Sequence, residues 1–251
     1  MSFIDVHAHM DHEQFDSDRN QVIKRAAQQE IVCIINNATD LPSMEAVLEL
    51  AKEDICQAAL GIYPEVAQTS TDDEIEEMFA FMEKHVTSMV CVGEIGLDYT
   101  YTKSDYDKNR QMEIFTRQLD FATKHDLPVT IHSRGAEKDV VETLIARSQK
   151  RVILHCFCGT LEIAALARDN RFFFSIPVRA VSSKPFQRLI EQTPLSLLLT
   201  ETDSPYLHYK QERNEPGNVP LTVAKIAEIK KIEPQEAEYM IFHNYMRIFM
   251  K

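Results

Sequence analysis

The sequence predicts a (β/α)8 barrel, in which eight parallel strands close into a ring and helices lie between them. Short apolar segments alternate with amphipathic segments along all 251 residues, and the strand candidates recur about every 28 residues, as this fold requires. No Gly-x-Gly-x-x-Gly follows the first strand and only six glycines occur, which argues against an open doubly wound sheet. We therefore expect residues 1–251 to form a single domain.

The predicted strands are short and rich in β-branched or other apolar residues, as strands buried on both faces are. They cover residues 3–9, 31–36, 55–62, 89–94, 129–132, 151–155, 172–176 and 195–200.

Apolar residues at helical spacing occupy the segments between the strands. Pro42 falls in the opening turn of the second helix, and Thr71 with Glu74 forms a capping box before the third. Two more helices follow Asn218, the last beginning near Pro234. The apolar stripes before them cover residues 22–27, 44–48, 75–82, 112–122, 140–145, 161–166 and 186–190.

Composition excludes some classes of function. The formal net charge of −12 is the wrong sign for sequence-independent binding of nucleic acid, so a phosphate substrate would need a local positive centre. No segment has the pattern of a signal peptide or the length of a membrane span. Five cysteines, an odd number, suit free thiols in a reducing compartment. We expect a cytoplasmic monomer without an obligate protein partner.

Two histidines in the first strand suggest half of a metal site. Ile4, Val6 and Ala8 alternate with polar residues, so His7 and His9 point to the same side of a strand. A metal site needs three or four converging ligands, and an ordinary pair of histidines near the N-terminus is an equally good explanation of this stretch alone.

Four later residues complete the pattern. In a barrel, functional groups collect where the strands end, and these positions hold Glu94 after strand four, His132 after five, His155 after six and Asp203 after eight. A lone histidine there is more often a hydrogen-bonded rim residue than a ligand. Four imidazoles and two carboxylates at one level of the fold favour a metal centre.

Such a ligand set exceeds what one tetrahedral ion with an open position requires. It suits two divalent ions about 3.5–4 Å apart that activate a water molecule. Glu94, midway around the ring, would bridge them, and Asp203 would bind one ion and act as the general base. The reaction class is metal-assisted hydrolysis, with Asp203 and Glu94 as catalytic residues.

The motifs along the whole chain closely resemble those of the TatD family of metal-dependent deoxyribonucleases. They are His7-Ala8-His9, Gly93-Glu94-Ile95-Gly96-Leu97-Asp98-Tyr99, His132-Ser133-Arg134, His155-Cys156-Phe157, Glu201-Thr202-Asp203-Ser204-Pro205-Tyr206-Leu207, Arg213-Asn214-Glu215-Pro216 and Asn244-Tyr245-Met246-Arg247-Ile248-Phe249.

The resemblance implies a TIM barrel of the amidohydrolase superfamily and cleavage of phosphodiester bonds, often as a 3′-5′ exonuclease on single-stranded DNA. It also implies that a glutamate replaces the carboxylated lysine that bridges the ions elsewhere in that superfamily. By the same resemblance the ligands are His7, His9, Glu94, His132, His155 and Asp203.

One motif departs from the family pattern. Where the family usually has Gly-x-His-Pro after strand three, this chain has Gly61-Ile62-Tyr63-Pro64. Tyr63 could donate a hydrogen bond to a phosphate oxygen, or it could pack at the rim.

Arg134 and Arg213 are further candidates for phosphate binding, although a structural salt bridge would explain either. Arg213 could brace its loop through Glu215, and Glu201 could orient a ligating histidine.

Three functions fit these residues. The first is a DNase that binds single-stranded DNA or another nucleotide-containing substrate. The second keeps the site but cleaves an amide, ester or lactone, which the departure at Tyr63 leaves open. The third is a metal-bound binding or scaffold module, disfavoured by a complete open ligand set. Mixed imidazole and carboxylate ligands suit Zn, Mn, Fe, Co or Ni, and the resemblance adds Mg.

Overall fold

The structure is a computed structural model, and it describes residues 2–100, 102–210 and 212–250. Its strands form one eight-stranded sheet in which they follow one another in chain order, with parallel pairing. They are β1 Phe3–Ala8, β2 Ile31–Asn37, β3 Cys56–Leu60, β4 Cys91–Asp98, β5 Val129–Arg134, β6 Val152–His155, β7 Phe173–Pro177 and β8 Leu198–Glu201.

The first strand lies beside the last. The Thr200 hydroxyl of β8 donates a hydrogen bond of 2.6 Å to the Ile4 carbonyl of β1, and Ala8 forms a parallel bridge with Ser204. An eight-stranded parallel sheet whose end strands meet is a barrel. The predicted (β/α)8 fold class is confirmed.

In the described parts of the chain, helices follow the strands as the apolar stripes predict. They are α1 Arg19–Gln28, α2 Leu41–Leu50, α3 Pro64–Thr69, α4 Asp72–Lys84, α5 Asp105–Lys124, α6 Glu137–Ala146, α7 Leu161–Asp169, α8 Lys184–Gln192, α9 Val219–Lys230 and α10 Pro234–Phe249. None of the helices in these parts is both long and apolar enough to cross a membrane.

Contacts divide the chain into two compact units. One comprises the described residues of Met1–Asn36, Leu50–Gln57 and Phe173–Lys251, and the other comprises those of Asn37–Glu49 and Ala58–Phe172. The prediction of a single domain over residues 1–251 stays a prediction.

In the first unit, the C-terminal helix is fastened to the last strand. The Asn244 side chain of α10 donates hydrogen bonds of 2.8 Å to the carbonyls of Leu195 and Leu198. Because Asn244 is fully buried, these bonds also satisfy an amide that could not reach water.

In the second unit, two glutamines of α5 hold the ends of two strands. Gln118 accepts from the Ile62 amide over 2.7 Å and donates to its carbonyl over 3.1 Å. Gln111 pairs in the same way with the amide and carbonyl of Asp98, at 2.9 Å each. The helix thus fixes the backbone next to Tyr63 and at the end of β4.

Several strand boundaries differ from the sequence prediction. Strands β4 and β5 continue to Asp98 and Arg134 because their pairing persists through Gly96 with His132 and through Asp98 with Arg134. Glu94 and His132 therefore lie inside strands, and the prediction that they follow strand ends is wrong.

The last strand also begins later than predicted, because Leu195–Leu197 after Pro194 forms a 3-10 turn. The sequence prediction missed α3, a helix of six residues whose signal is Pro64 in its first turn.

The Thr200 hydrogen bond offers a test of barrel closure. Replacing Thr200 with valine keeps the shape of the side chain but removes the donor to the Ile4 carbonyl. We expect the free energy of unfolding to fall by about 1 kcal/mol, measured by urea denaturation. Thr69→Val, which removes an exposed hydroxyl bonded within its own helix, should change it by less than about 0.5 kcal/mol. Equal effects of the two substitutions would contradict this role.

Candidate metal centre

The first unit brings His7, His9 and Asp203 together. The Nε2 atoms of the two histidines lie 3.2 Å apart, which confirms that both rings face the same side of β1. Oδ1 of Asp203 lies 3.7 Å from Nε2 of His7 and 3.4 Å from Nε2 of His9. Two nitrogens bound to one tetrahedral ion would lie roughly 3.3 Å apart, so this group fits a divalent cation.

The backbone around this group is bonded across β1 and the residues after β8. The Asp203 amide donates to the His7 carbonyl over 2.9 Å, and the His9 amide donates to the Ser204 carbonyl over 2.8 Å. Asp203 has a φ of 58°, in the left-handed region that aspartate tolerates better than most residues. These bonds fix the three side chains relative to one another.

Asp5, which is not among the residues predicted from the sequence, supports the same arrangement through Thr202. One carboxylate oxygen accepts from the Thr202 amide over 2.9 Å and the other from the Thr202 hydroxyl over 2.6 Å. Burial raises the pKa of Asp5 to about 8, against the opposing effect of these hydrogen bonds. The available signal was that Asp5 shares the strand alternation of His7 and His9.

The second unit brings Glu94, His132 and His155 together. Their possible ligand atoms all lie within 4.8 Å of one another, and all three side chains are buried. Oε1 of Glu94 lies 2.8 Å from Nδ1 of His132 and 3.7 Å from Nε2 of His155. One carboxylate oxygen therefore faces both imidazoles.

The electrostatics of this group favour a positive charge at its centre. Burial alone would lower the pKa of His132, but hydrogen bonds to Asp98 and Glu94 outweigh it and raise that pKa to about 9. The space between Glu94 and Nδ1 of His132 thus suits a cation, whether a proton or a metal ion. Two imidazoles and a carboxylate are donors that divalent transition metals accept.

A further carboxylate in this unit is Asp98, which the sequence indicates only as part of a motif. Its Oδ2 lies 3.0 Å from Nε2 of His132, on the opposite edge of the ring from Glu94. The signal was its position four residues after Glu94 in the same strand, which places both on one face.

The predicted substrate-binding residues occupy different surroundings. The Tyr63 hydroxyl lies 3.4 Å from Nε2 of His132, and the two rings meet edge to face at 4.9 Å. Tyr63 therefore borders the second group. Arg134 is exposed at the end of β5. Glu201 accepts a hydrogen bond from the Ser175 hydroxyl, and its role in orienting a ligand stays a prediction.

Arg213 forms a brace within the first unit. Its guanidinium pairs with both oxygens of Asp18, at 2.8 and 2.7 Å, and with Glu215 at 2.8 Å. It also lies over the Phe15 ring, 4.7 Å from the centroid, and donates to the Gln14 carbonyl. These contacts support the alternative in which Arg213 braces its loop. Phosphate binding by Arg213 stays a prediction.

Comparisons with known proteins agree with this fold. The model of a family described as TatD related DNase matches residues 4–250. The chain is 34% identical to the uncharacterized metal-dependent hydrolase YabD of Bacillus subtilis, over 98% of each chain. It is 28% identical to human deoxyribonuclease TATDN3, over 100% of this chain and 96% of that one. The crystal structure of YJJV, a TATD homolog from Escherichia coli, superposes with a TM-score of 0.89 at 29% identity, over 98% of this chain and 97% of that one.

The Arg213 brace predicts a pH-dependent contribution to stability. Hydrogen bonds from Arg213 hold the pKa of Asp18 below its ordinary value of 3.8. A group with a lowered pKa stabilises the fold above its unfolded pKa and ceases to do so as the pH falls through the folded value. We expect Arg213→Met to lower the melting temperature at pH 7, and the difference from wild type to shrink below about pH 3.8. A difference that is the same at pH 7 and pH 3 would contradict the brace.

Proposed function

The chain belongs to the family of TatD related DNases and is a metal-dependent hydrolase, and from this premise we propose that it is a deoxyribonuclease. Its substrate would be single-stranded DNA, from which it removes nucleotides at the 3′ end. The relatives support the choice of substrate, since human TATDN3 is named a deoxyribonuclease. The cytoplasmic location and monomeric state predicted from the sequence belong to the same proposal.

The observation that carries the proposal is the composition of the two side-chain groups. Each contains two imidazoles and one carboxylate whose possible ligand atoms lie within 4.8 Å of one another. Three protein ligands leave open positions, as hydrolytic metal sites require, whereas a structural site is closed by four. We propose that two divalent ions bind to His7, His9, Glu94, His132, His155 and Asp203.

Bound divalent ions would lower the pKa of water and stabilise charge on phosphoryl oxygens. Asp203 would accept the proton of the attacking water, because its carboxylate lies beside the nitrogens of His7 and His9 and keeps slight exposure, 7%. Glu94 would bind an ion together with His132 and His155, since one of its carboxylate oxygens faces both imidazoles.

Arg134 and Tyr63 would position the substrate. Arg134, which is exposed at the end of the strand that carries His132, would pair with a phosphate oxygen. Tyr63 could donate its hydroxyl to the same substrate group, beside the His132 ring. A net charge of −12 would disfavour binding along a duplex, and a short single-stranded end needs fewer contacts.

Asp203→Asn tests the proposed base. The amide keeps the size of the side chain but cannot take up a proton, so we expect kcat on 3′-labelled single-stranded DNA to fall about 10²- to 10⁴-fold. Asp73→Asn, the same change at an exposed site on α4, should leave kcat unchanged. A chelator should abolish cleavage by wild type, and Mn²⁺ or Zn²⁺ should restore it.

Assays on the same enzyme preparation distinguish the nuclease hypothesis from the acyl hydrolase hypothesis. Ester, amide and lactone substrates assayed beside DNA should show no chelator-sensitive turnover. Turnover of one of these without release of nucleotides would refute the nuclease and favour the alternative.

Arg134→Gln tests substrate positioning. Loss of one charged contact with phosphate should raise KM for single-stranded DNA about tenfold and leave kcat nearly unchanged. It should also reduce the slope of log affinity against log salt by about 0.7. Arg188→Gln, at an exposed position of α8, serves as the control. If the two variants had the same KM, the proposed role of Arg134 in substrate binding would be wrong.

A further inference from the structure

We propose that Asp98 is a positioning residue: it holds the His132 ring with a proton on Nε2 and thereby presents Nδ1 to a metal ion beside Glu94. The proposal rests on the proposed function, because it assumes that His132 binds a metal ion. It goes beyond it by assigning a role to a residue outside the six ligands.

The geometry around His132 separates the roles of the two carboxylates. Glu94 faces Nδ1 at 2.8 Å and Asp98 faces Nε2 at 3.0 Å. Glu94 also faces His155, so its edge of the ring is the one where possible ligand atoms gather. Asp98 lies at the other edge of the ring, away from these ligand atoms, and we therefore assign it the role of orienting the ring.

Asp98 accepts hydrogen bonds at this position with both carboxylate oxygens. Oδ1 accepts from the Thr100 amide, and Oδ2 lies 3.0 Å from Nε2 of His132. A carboxylate that accepts in this way needs a proton on the ring nitrogen it faces, which places that proton on Nε2. A metal ion beside Glu94 would then take the place of a proton on Nδ1.

The rest of Asp98 is held in place. Its Oδ1 accepts hydrogen bonds from the amide of Thr100 at 2.9 Å and from the Thr100 hydroxyl. Its backbone amide and carbonyl are bonded to Gln111, which is itself bonded to Gln68 at 2.9 Å. With 1% of its surface exposed, the carboxylate has a fixed direction and can fix that of the ring.

Tyr63 does not take over this role. Its hydroxyl lies 3.4 Å from Nε2 of His132, longer than an ordinary hydrogen bond from a hydroxyl. Asp98 is the closer and the charged acceptor. Partners that orient a ligating histidine in this way typically account for about 10- to 100-fold in metal affinity.

Asp98→Asn tests the proposal without relying on turnover. The purified full-length protein is stripped of metal with a chelator and titrated with Zn²⁺ alone in a calorimeter. We expect the wild type to bind two ions and the variant to bind one of them about 10- to 100-fold more weakly. Asp139→Asn, which alters an exposed aspartate bonded to Tyr99, should bind both ions with wild-type affinity.

A spectroscopic measurement on the wild type tests the proposal even when Asp98→Asn does not fold. Nitrogen NMR of the zinc-loaded wild type, labelled in histidine, should show His132 protonated on Nε2 and not on Nδ1. The milder Thr100→Val, which removes one hydrogen bond to Asp98, should weaken zinc binding less than Asp98→Asn does.

The outcomes separate this proposal from the proposed function. Unchanged zinc affinity in a folded Asp98→Asn, or a proton on Nδ1 of His132 in the zinc-loaded protein, would overturn the role of Asp98 alone. A wild-type chain that binds no zinc would overturn both proposals.

Discussion

The burial of ionisable side chains is the constraint on which the rest of the structure depends. Asp5 is fully buried, and Glu94 and His132 expose only 3% and 4% of their surface. A charge removed from water is strongly destabilising unless hydrogen bonds or an opposite charge compensate for it, and otherwise the group shifts towards its neutral form, as the raised pKa of Asp5 shows. Each of these groups therefore needs a partner at a defined distance, and those partners determine the local course of the chain.

In the first unit this constraint ties together residues from opposite ends of the sequence. Asp5 receives two hydrogen bonds from Thr202, and the backbone of His7 pairs with that of Asp203. The protein thus holds His7, His9 and Asp203 in place by contacts of its own. Such preorganisation reduces the movement needed to bind a cation or to transfer a proton.

The second unit reaches the same result through a helix. Gln111 of α5 fixes the backbone of Asp98, and Asp98 faces the ring of His132. Both glutamines that α5 directs at the strands are buried polar residues on an otherwise apolar face. Their amides satisfy the backbone amide and carbonyl groups of Ile62 and Asp98.

The sequence predicted the fold class and every strand, because apolar β-branched runs alternating with helical stripes report burial directly. It misplaced the end of β4, because the polar residue Glu94 resembles a strand terminus when only hydropathy is read. It passed over Asp5 and Asp98 for a related reason. Their importance lies in contacts with Thr202 and His132, which are distant in sequence, and alternation alone does not distinguish such a carboxylate from one that faces solvent.

The charge of each group would resolve the conflict between an acidic chain and the proposed anionic substrate. A divalent cation bound by two neutral imidazoles and one carboxylate would retain a net positive charge, and both groups have this composition. Within a buried site that charge would be weakly screened, so it would attract a phosphate at short range. The acidic remainder of the surface acts at longer range and is screened by salt within about 10 Å. An overall charge of −12 would therefore limit binding along a long polyanion and still allow a single phosphodiester to bind at the site.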